Sequence, residues 1–370
     1  MDRLSITFPH KALGFLYLIL SGRPGTILQK KAPARDIKMN IARRTLLTLS
    51  ATLLGFAAAN ASAFAADYTL RLHTLVKSPH PYNDMASAMK KEIEDKSGGK
   101  IAVKIFDAGQ LGQDPAVIGE MGFGTIDLMI STVSNAAQQI PEFSIFTMPY
   151  LFNGMDDALA KVGPGTKVQA HFEKVYEEHA VGMKLLALGA SGTRNMSTAA
   201  TVVNGPDDLK GLKMRTPPSP MDAKTWAAFG MLPVTVAWGE LYAAMQTGVA
   251  DAMESSLPGY TGSKLYEVAP NLALTEHTIQ INHISISQRT WDKLPADLQK
   301  IVQQAAIDAN AYGVEKAKEY DAKLVETLQS EHGVKVTHPD KAAFIETVAP
   351  LQIELAKELD LSDEYDLLKN

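Results

Sequence analysis

An α/β protein of two domains is expected from the sequence, on three observations. The chain has 370 residues, enough for two domains of about 100–200 residues each. Stretches with a period of two alternate along it with stretches of helical period, the pattern of sheets covered by helices on both faces. No low-complexity linker cuts the chain beyond residue 66. The domains are therefore expected to be joined by crossing strands or helices, an arrangement that leaves a ligand-sized cleft between them.

The elements follow in order. Tyr68, Leu70 and Leu72 alternate with other residues as a strand does. Tyr82, Met85, Ala86, Met89 and Ile93 keep helical spacing, stopped by Gly98-Gly99, and Ile101, Val103 and Ile105 alternate again. This opening has the length of a parallel βαβ unit. A helix over 114–122 and a strand over 126–131 come next, then a helix around 156–179 and a strand over 184–188. Segments 201–203 and 212–214 read as short strands around a helical turn at 206–211. Residues 221–229 predict a helix, 233–236 an extended segment and 238–247 another helix. Ile279, Ile281, Ile284 and Ile286 place a strand over 278–287 with a change of face midway. A long helix runs from Pro295 to about Gln329 on Leu298, Val302, Ala305, Val314 and Leu324, and a helix over 341–359 ends the fold.

Charge divides the chain. Residues 1–65 hold nine Lys/Arg and two acids, leaving 27 basic against 39 acidic residues in the remainder. From Met39, the pair Arg43-Arg44, a short apolar run from Leu46 to Ala59 and the small-residue exit Ala63-Phe64-Ala65 form the three parts of a secretory signal peptide. The run is too short to span about 30 Å of hydrocarbon. We therefore expect an upstream extension at 1–38, a signal peptide at 39–65 cleaved before Ala66, and export to the periplasm by the Sec route or a twin-arginine route.

Several chemistries are excluded. The chain has no cysteine, hence no disulfide framework, cysteine metal site or thiol nucleophile. Its net charge of −5 gives no basic footprint for nucleic acid. The histidines show no His-Glu-x-x-His spacing, and no calcium loop or phosphate-binding loop occurs. Gly189-Ala190-Ser191-Gly192 lacks the spacing of a nucleophile elbow. Gly122-Phe123-Gly124 follows a helix instead of opening one after a strand, unlike a dinucleotide loop. No metal and no cofactor is expected, and the absence of a catalytic constellation favours a binder over an enzyme.

Two arginines are the leading polar candidates. Arg194 lies just past the strand at 184–188, and Arg215 ends the short strand at 212–214. Ligands of open α/β sheets bind at the carboxyl ends of strands, and a guanidinium offers a permanent charge and a planar fork of donors that fits a carboxylate. A structural ion pair would suit the same side chains. Trp238 offers a rigid face to a small ligand or an anchor to a domain core. Asp251 and Glu254 form an acidic cluster after the preceding helix.

Five segments in this order resemble the solute-binding proteins of tripartite ATP-independent periplasmic (TRAP) transporters, the DctP-type family. They are Gly109-Gln110-Leu111-Gly112-Gln113-Asp114, Gly124-Thr125-Ile126-Asp127-Leu128, Phe146-Thr147-Met148-Pro149-Tyr150-Leu151-Phe152, Asp208-Leu209-Lys210-Gly211-Leu212-Lys213-Met214-Arg215, and Glu240-Leu241-Tyr242-Ala243-Ala244-Met245-Gln246-Thr247-Gly248. The resemblance implies a two-lobed periplasmic-binding-protein fold with a cleft between the lobes and a long helix spanning both. Lobe I would comprise 66–190 plus 281–318, and lobe II 191–280 plus 319–370. It implies that Arg215 forms the main ion pair with a ligand carboxylate, that Arg194 assists, and that Trp238 packs on the ligand. Thr132 and Ser134 would supply polar contacts from the first lobe, with His80 and Asp114 in loops that face the cleft.

Many sugar-acid binders of that family carry Glu-Asn where this chain has Glu254-Ser255, so a hydroxyl stands where an amide would be. The Glu-Trp form found in metal-assisted keto-acid binders does not occur. The resemblance implies a small organic-acid ligand, delivery to the small and large subunits of a membrane permease, and a monomer. Two other readings stay open on the residues: an exported hydrolase using Glu254 and a histidine, and a sensory binding module feeding a receptor.

Overall fold

The computed structural model describes residues 66–179 and 181–369; the expected upstream extension and signal peptide lie outside the described residues. The chain opens with β1 (Tyr68–Thr74), α1 (Pro81–Lys96) and β2 (Ile101–Phe106). In α1, His80 caps the start by accepting from the Tyr82 amide, Pro81 fits the first turn, and Gly98 and Gly99 end it at positive φ. Then come α2 (Asp114–Phe123), β3 (Leu128–Thr132), α3 (Val133–Ala136), a 3-10 segment (Pro141–Thr147), α4 (Met155–Val162) and α5 (Lys167–Glu178). The single helix expected around 156–179 is thus two. Gly163-Pro164-Gly165 breaks it, and Thr166 caps the second helix through the Gln169 amide.

The long strand β4 (Met183–Thr198) follows, then a 3-10 turn (Pro206–Leu209), β5 (Lys213–Thr216), α6 (Pro220–Ala228) and β6 (Leu232–Thr235). After the 3-10 turn Trp238–Glu240 come α7 (Leu241–Gln246), β7 (Ala252–Ser256) and α8 (Leu257–Gly262). The chain finishes with β8 (Asn271–Ser287), α9 (Gln288–Lys293), α10 (Ala296–His332), β9 (Lys335–Thr337), α11 (Lys341–Val348), α12 (Gln352–Glu358) and α13 (Ser362–Lys369). Segment 201–203 is not a strand. The helix expected over 341–359 divides at a 3-10 turn that contains Pro350, and α13 follows it.

The nine strands of the described residues form one sheet in the order β2-β1-β3-β8-β4-β7-β5-β6, with β9 beside β8. β1 is parallel to both β2 and β3, and β5 to both β6 and β7. Between these two parallel groups run β4 and β8, antiparallel to each other along their whole length. β3 pairs with the end of β8 at Asn282–Ile286, whereas β7 pairs with the end of β4 at Arg194–Thr198. Each long strand therefore belongs to both halves of a two-lobed fold.

The helix α10 is shared in the same way. Its Val302, Ala305 and Ala309 join Leu70, Met85 and Val103 in one core cluster, while Leu324 and Leu328 join Leu257, Leu265 and Leu272 in another. A third core gathers Met196, Met214, Trp226 and Phe344. The fourth gathers Phe143, Phe172, Met183 and Ile281 with Leu355, Leu361 and Leu368. The last two helices thus pack against the half that carries α5, although the sequence reading groups 319–370 with the other half.

Candidate functional site

At the crossing from one half of the sheet to the other, β4 loses its regular register with β8 between Ala190 and Thr193, and again between Arg194 and Met196. Gly192 sits there at φ 132°, a conformation open to glycine. Beside this irregularity lies a cleft of about 430 Å³, part of it open to solvent. It is lined by His80, Asp114, Thr132, Ser134, Arg194, Arg215, Trp238 and Ser255, eight of the nine positions singled out from the sequence. The ninth, Glu254, is buried behind the wall. Tyr82, Asn135 and Gln280 also line it, and none of them was foreseen.

The two arginines differ in their partners. Arg194 grips Glu254 with both ends of its fork: Nε donates to Oε2, and Nη2 donates to Oε1 at 2.6 Å. Nη2 also reaches the Glu254 carbonyl at 3.3 Å, and Nη1 donates to Gln280 Oε1 at 2.5 Å. One Nη1 hydrogen is left for the cleft. Burial alone would push the Glu254 carboxyl up, but Arg194, then His277 at 3.6 Å, hold it well below the usual carboxylate range.

Arg215 is only 1% exposed. Its Nε donates to the Val236 carbonyl at 2.9 Å, and among the described residues no hydrogen-bond partner meets Nη1 or Nη2. The guanidinium carbon lies 5.7 Å from the centroid of the Trp238 ring, within cation–π range. Burial pushes the Arg215 pKa down to about 10; Glu254 opposes that shift and Arg194 adds to it. The group stays charged at neutral pH. Glu254 is already matched by Arg194, so Arg215 brings an uncompensated positive charge to the cleft.

On the opposite wall, Asp114 stands at the first position of α2. It meets His73 Nε2 at 3.0 Å and accepts from Asn135 Nδ2 at 2.7 Å and from the Ser131 hydroxyl. Burial would raise its pKa, but these contacts, led by His73, lower it. Both oxygens are occupied, so Asp114 orients Asn135 and Ser131 at the cleft surface. Thr132 and Ser134 share a 3.1 Å hydrogen bond, and Thr132 Oγ1 also donates to the Ile281 carbonyl.

His80 Nδ1 accepts the Tyr82 amide hydrogen bond at 3.2 Å, which puts the proton of the neutral ring on Nε2. Burial, and then the Arg194 charge, lower its pKa to about 3, so the ring is a neutral donor. Ser255 donates to the Ser256 carbonyl at 3.1 Å. At the edge of the cleft the Gly239 amide, next to Trp238, donates to Gln113 Oε1 at 3.1 Å.

Of the residues not foreseen, Gln280 had a signal. It stands between Ile279 and Ile281 on β8, so the alternation that buries the isoleucines turns it to the other face. Asn135 follows the expected polar pair, while Tyr82 reads as an ordinary core aromatic.

Residues 72–358 match the DctP family, described as bacterial extracellular solute-binding protein, family 7. A solute-binding protein of Sulfitobacter sp. strain NAS-14.1 is 32% identical over 331 residues, 88% of this chain and 99% of that protein. Among solved structures, a TRAP periplasmic solute-binding protein from Bordetella bronchispeptica, with density assigned to pantoate, superposes with a TM-score of 0.76 at 29% identity, covering 80% of this chain and 98% of the other. One from Sulfitobacter sp. NAS-14.1 with bound β-D-galacturonate has a TM-score of 0.74 at 26% identity, covering 82% and 99%.

Proposed function

The chain belongs to the DctP family of TRAP-transporter solute-binding proteins, and from that premise we propose that its cleft captures a small organic acid through an arginine–carboxylate clamp. Such proteins are solute binders, not enzymes. The observation that carries the proposal is Arg215, a buried cation whose two terminal nitrogens lack protein partners and stand at a cleft wall. A carboxylate fits that fork with two charge-assisted hydrogen bonds and cancels the excess charge. The remaining Nη1 hydrogen of Arg194 gives a further contact, and Trp238 supplies an apolar face beside the fork. Glu254, bound by Arg194 and held well below the usual range, is no acid–base group for a hydrolase.

On this reading lobe I holds 66–190 plus 281–318 and lobe II holds 191–280 plus 319–370, with the last two helices resting against lobe I. Thr132, Ser134 and His80 would meet the ligand from lobe I and Arg215, Arg194, Trp238 and Ser255 from lobe II. The protein would be exported with cleavage of residues 39–65, act in the periplasm as a monomer and deliver its solute to the small and large permease subunits. Co-purification with those subunits, and not with a receptor, separates transport from a sensory role.

Calorimetry against a set of organic acids tests the clamp. Removing one partner of a buried charge pair costs about 2–5 kcal/mol, or about 30-fold or more in affinity. Arg215→Ala is expected to lose at least that much, while Arg215→Lys keeps the charge and loses less. Equal and negligible losses in the two variants would remove the clamp.

A further inference from the structure

A second, smaller cavity of about 240 Å³ adjoins the cleft and shares Thr132, Ser134, Arg194 and Gln280 with it. Val133, Phe146, Ile279 and Ile281 line it together with the hydroxyl residues Thr147 and Thr278. Asp222, in the first turn of α6, also lines it. The residue is 7% exposed, and its Oδ2 is buried with no hydrogen-bond partner among the described residues. A buried carboxyl oxygen without a partner, on a residue that lines a cavity beside a ligand site, is costly unless a ligand completes it.

We propose that Asp222 forms a second subsite, in which Oδ2 accepts a hydrogen bond from a ligand hydroxyl remote from the carboxylate held by Arg215. The ligand is then a hydroxylated monocarboxylate. This rests on the reading of the cleft as a carboxylate site and adds the chemistry of the far end.

The charges around the subsite support this choice. Arg194 on β4 is matched by Glu254 on β7, and His277 on β8 lies against Glu254 at 3.6 Å. Arg215 on β5 is committed to the ligand's carboxylate. Among the described residues of the two cavities no cation is left to receive a second carboxylate, which would stand against Asp222 and within the field of Glu254. Burial and then Glu254 raise the Asp222 pKa to about 7, with Ser219, Arg194 and Thr147 opposing. A carboxyl that is about half protonated at neutral pH offers an ammonium group only a partial charge, and its oxygen accepts from a hydroxyl in either state.

Calorimetry with a defined panel tests the subsite: pantoate, D-erythronate, galactonate and galacturonate on one side, succinate and galactarate on the other. The parent, Arg215→Ala, Asp222→Ala and Asp222→Asn are compared, with far-UV circular dichroism and ligand-free melting to show that each folds. A hydroxy monocarboxylate is expected to bind best, to be lost in Arg215→Ala, and to weaken about tenfold or more in Asp222→Ala. Asp222→Asn keeps a carbonyl acceptor and is expected to stay within about threefold of the parent. Tighter Arg215-dependent binding of succinate or galactarate overturns the subsite and leaves the clamp standing. So does hydroxy-acid binding that needs Arg215 but ignores Asp222→Ala. Binding by no acid of the panel, or binding indifferent to Arg215→Ala, overturns both readings.

Discussion

Two arginines face one cleft, yet Glu254 meets the fork of Arg194 at 2.6 Å while the terminal nitrogens of Arg215 have no partner among the described residues. The place of Arg215 near the end of β5 was legible in the sequence, whereas Arg194, expected just past a strand, lies inside β4, and the division of roles was not legible. Glu254 follows both in the chain, and only the pairing of β4 with β7 brings it opposite Met196 and beside Arg194. Asp222 was hidden for another reason. An acidic residue in the first turn after Ser219-Pro220 is an ordinary helix start, and nothing in that pattern reports the cavity beside it. Its titration can be tested in the unliganded protein. The carboxyl is raised from 3.8 to about 7, so between about pH 4 and 7 the folded chain holds a proton that the unfolded chain has released. Asp222 thus contributes stability at low pH that is lost as pH rises through 7, with a slope of about one proton. Thermal unfolding of the parent and Asp222→Asn from pH 4 to 8 is expected to show the variant gaining on the parent up to about pH 7 and then holding level. Parallel curves would mean that Asp222 titrates as it does in water.

Strands and helices with one buried face were readable, because burial on one side leaves a period. The opening unit from β1 to β2 and the helix α10 lie close to their expected bounds. Elements covered on both sides lost that signal. All five residues of β7 are buried, and Glu254 among them reads as a surface acid. β4 was visible only as 184–188 because Gly189-Ala190-Ser191-Gly192 follows, small residues whose purpose is spatial. A Cβ on Gly189 would lie 2.0 Å from Asn310 Oδ1 on α10. Asn310 cannot simply turn away, since it donates to the Leu188 carbonyl at 2.7 Å and accepts from Asn282 at 3.0 Å. Gly189 therefore lets α10 lie close against the shared strands. Gly189→Ala is expected to cost about 1–3 kcal/mol through overpacking, read by urea unfolding. An unchanged midpoint and slope would show that α10 shifts without loss.

The two shared strands and α10 connect the lobes, and the cleft walls also meet in the hydrogen bonds from Gln280 Nε2 to the Tyr82 hydroxyl at 2.8 Å and from the Gly239 amide to Gln113 Oε1 at 3.1 Å. A shut cleft without ligand would leave Arg215 buried and unpaired, at a cost of about 3–5 kcal/mol. That is comparable with the roughly 5.5 kcal/mol needed to move a two-state equilibrium from 1:99 to 99:1. Arg215 would then act as a wedge when the site is empty and as a clasp when it is filled. The chain has no cysteine, so two introduced thiols can be labelled without background. Lys104, on the edge strand β2, and Lys210, beside the opposite edge of the sheet, are both exposed. Spin labels on Lys104→Cys and Lys210→Cys are expected to show a long distance without ligand and a shorter one with a saturating organic acid. Adding Arg215→Ala removes the unpaired charge, so the short distance is expected to gain population even without ligand. If Arg215→Ala leaves the ligand-free distances unchanged, desolvation of this cation does not hold the cleft open.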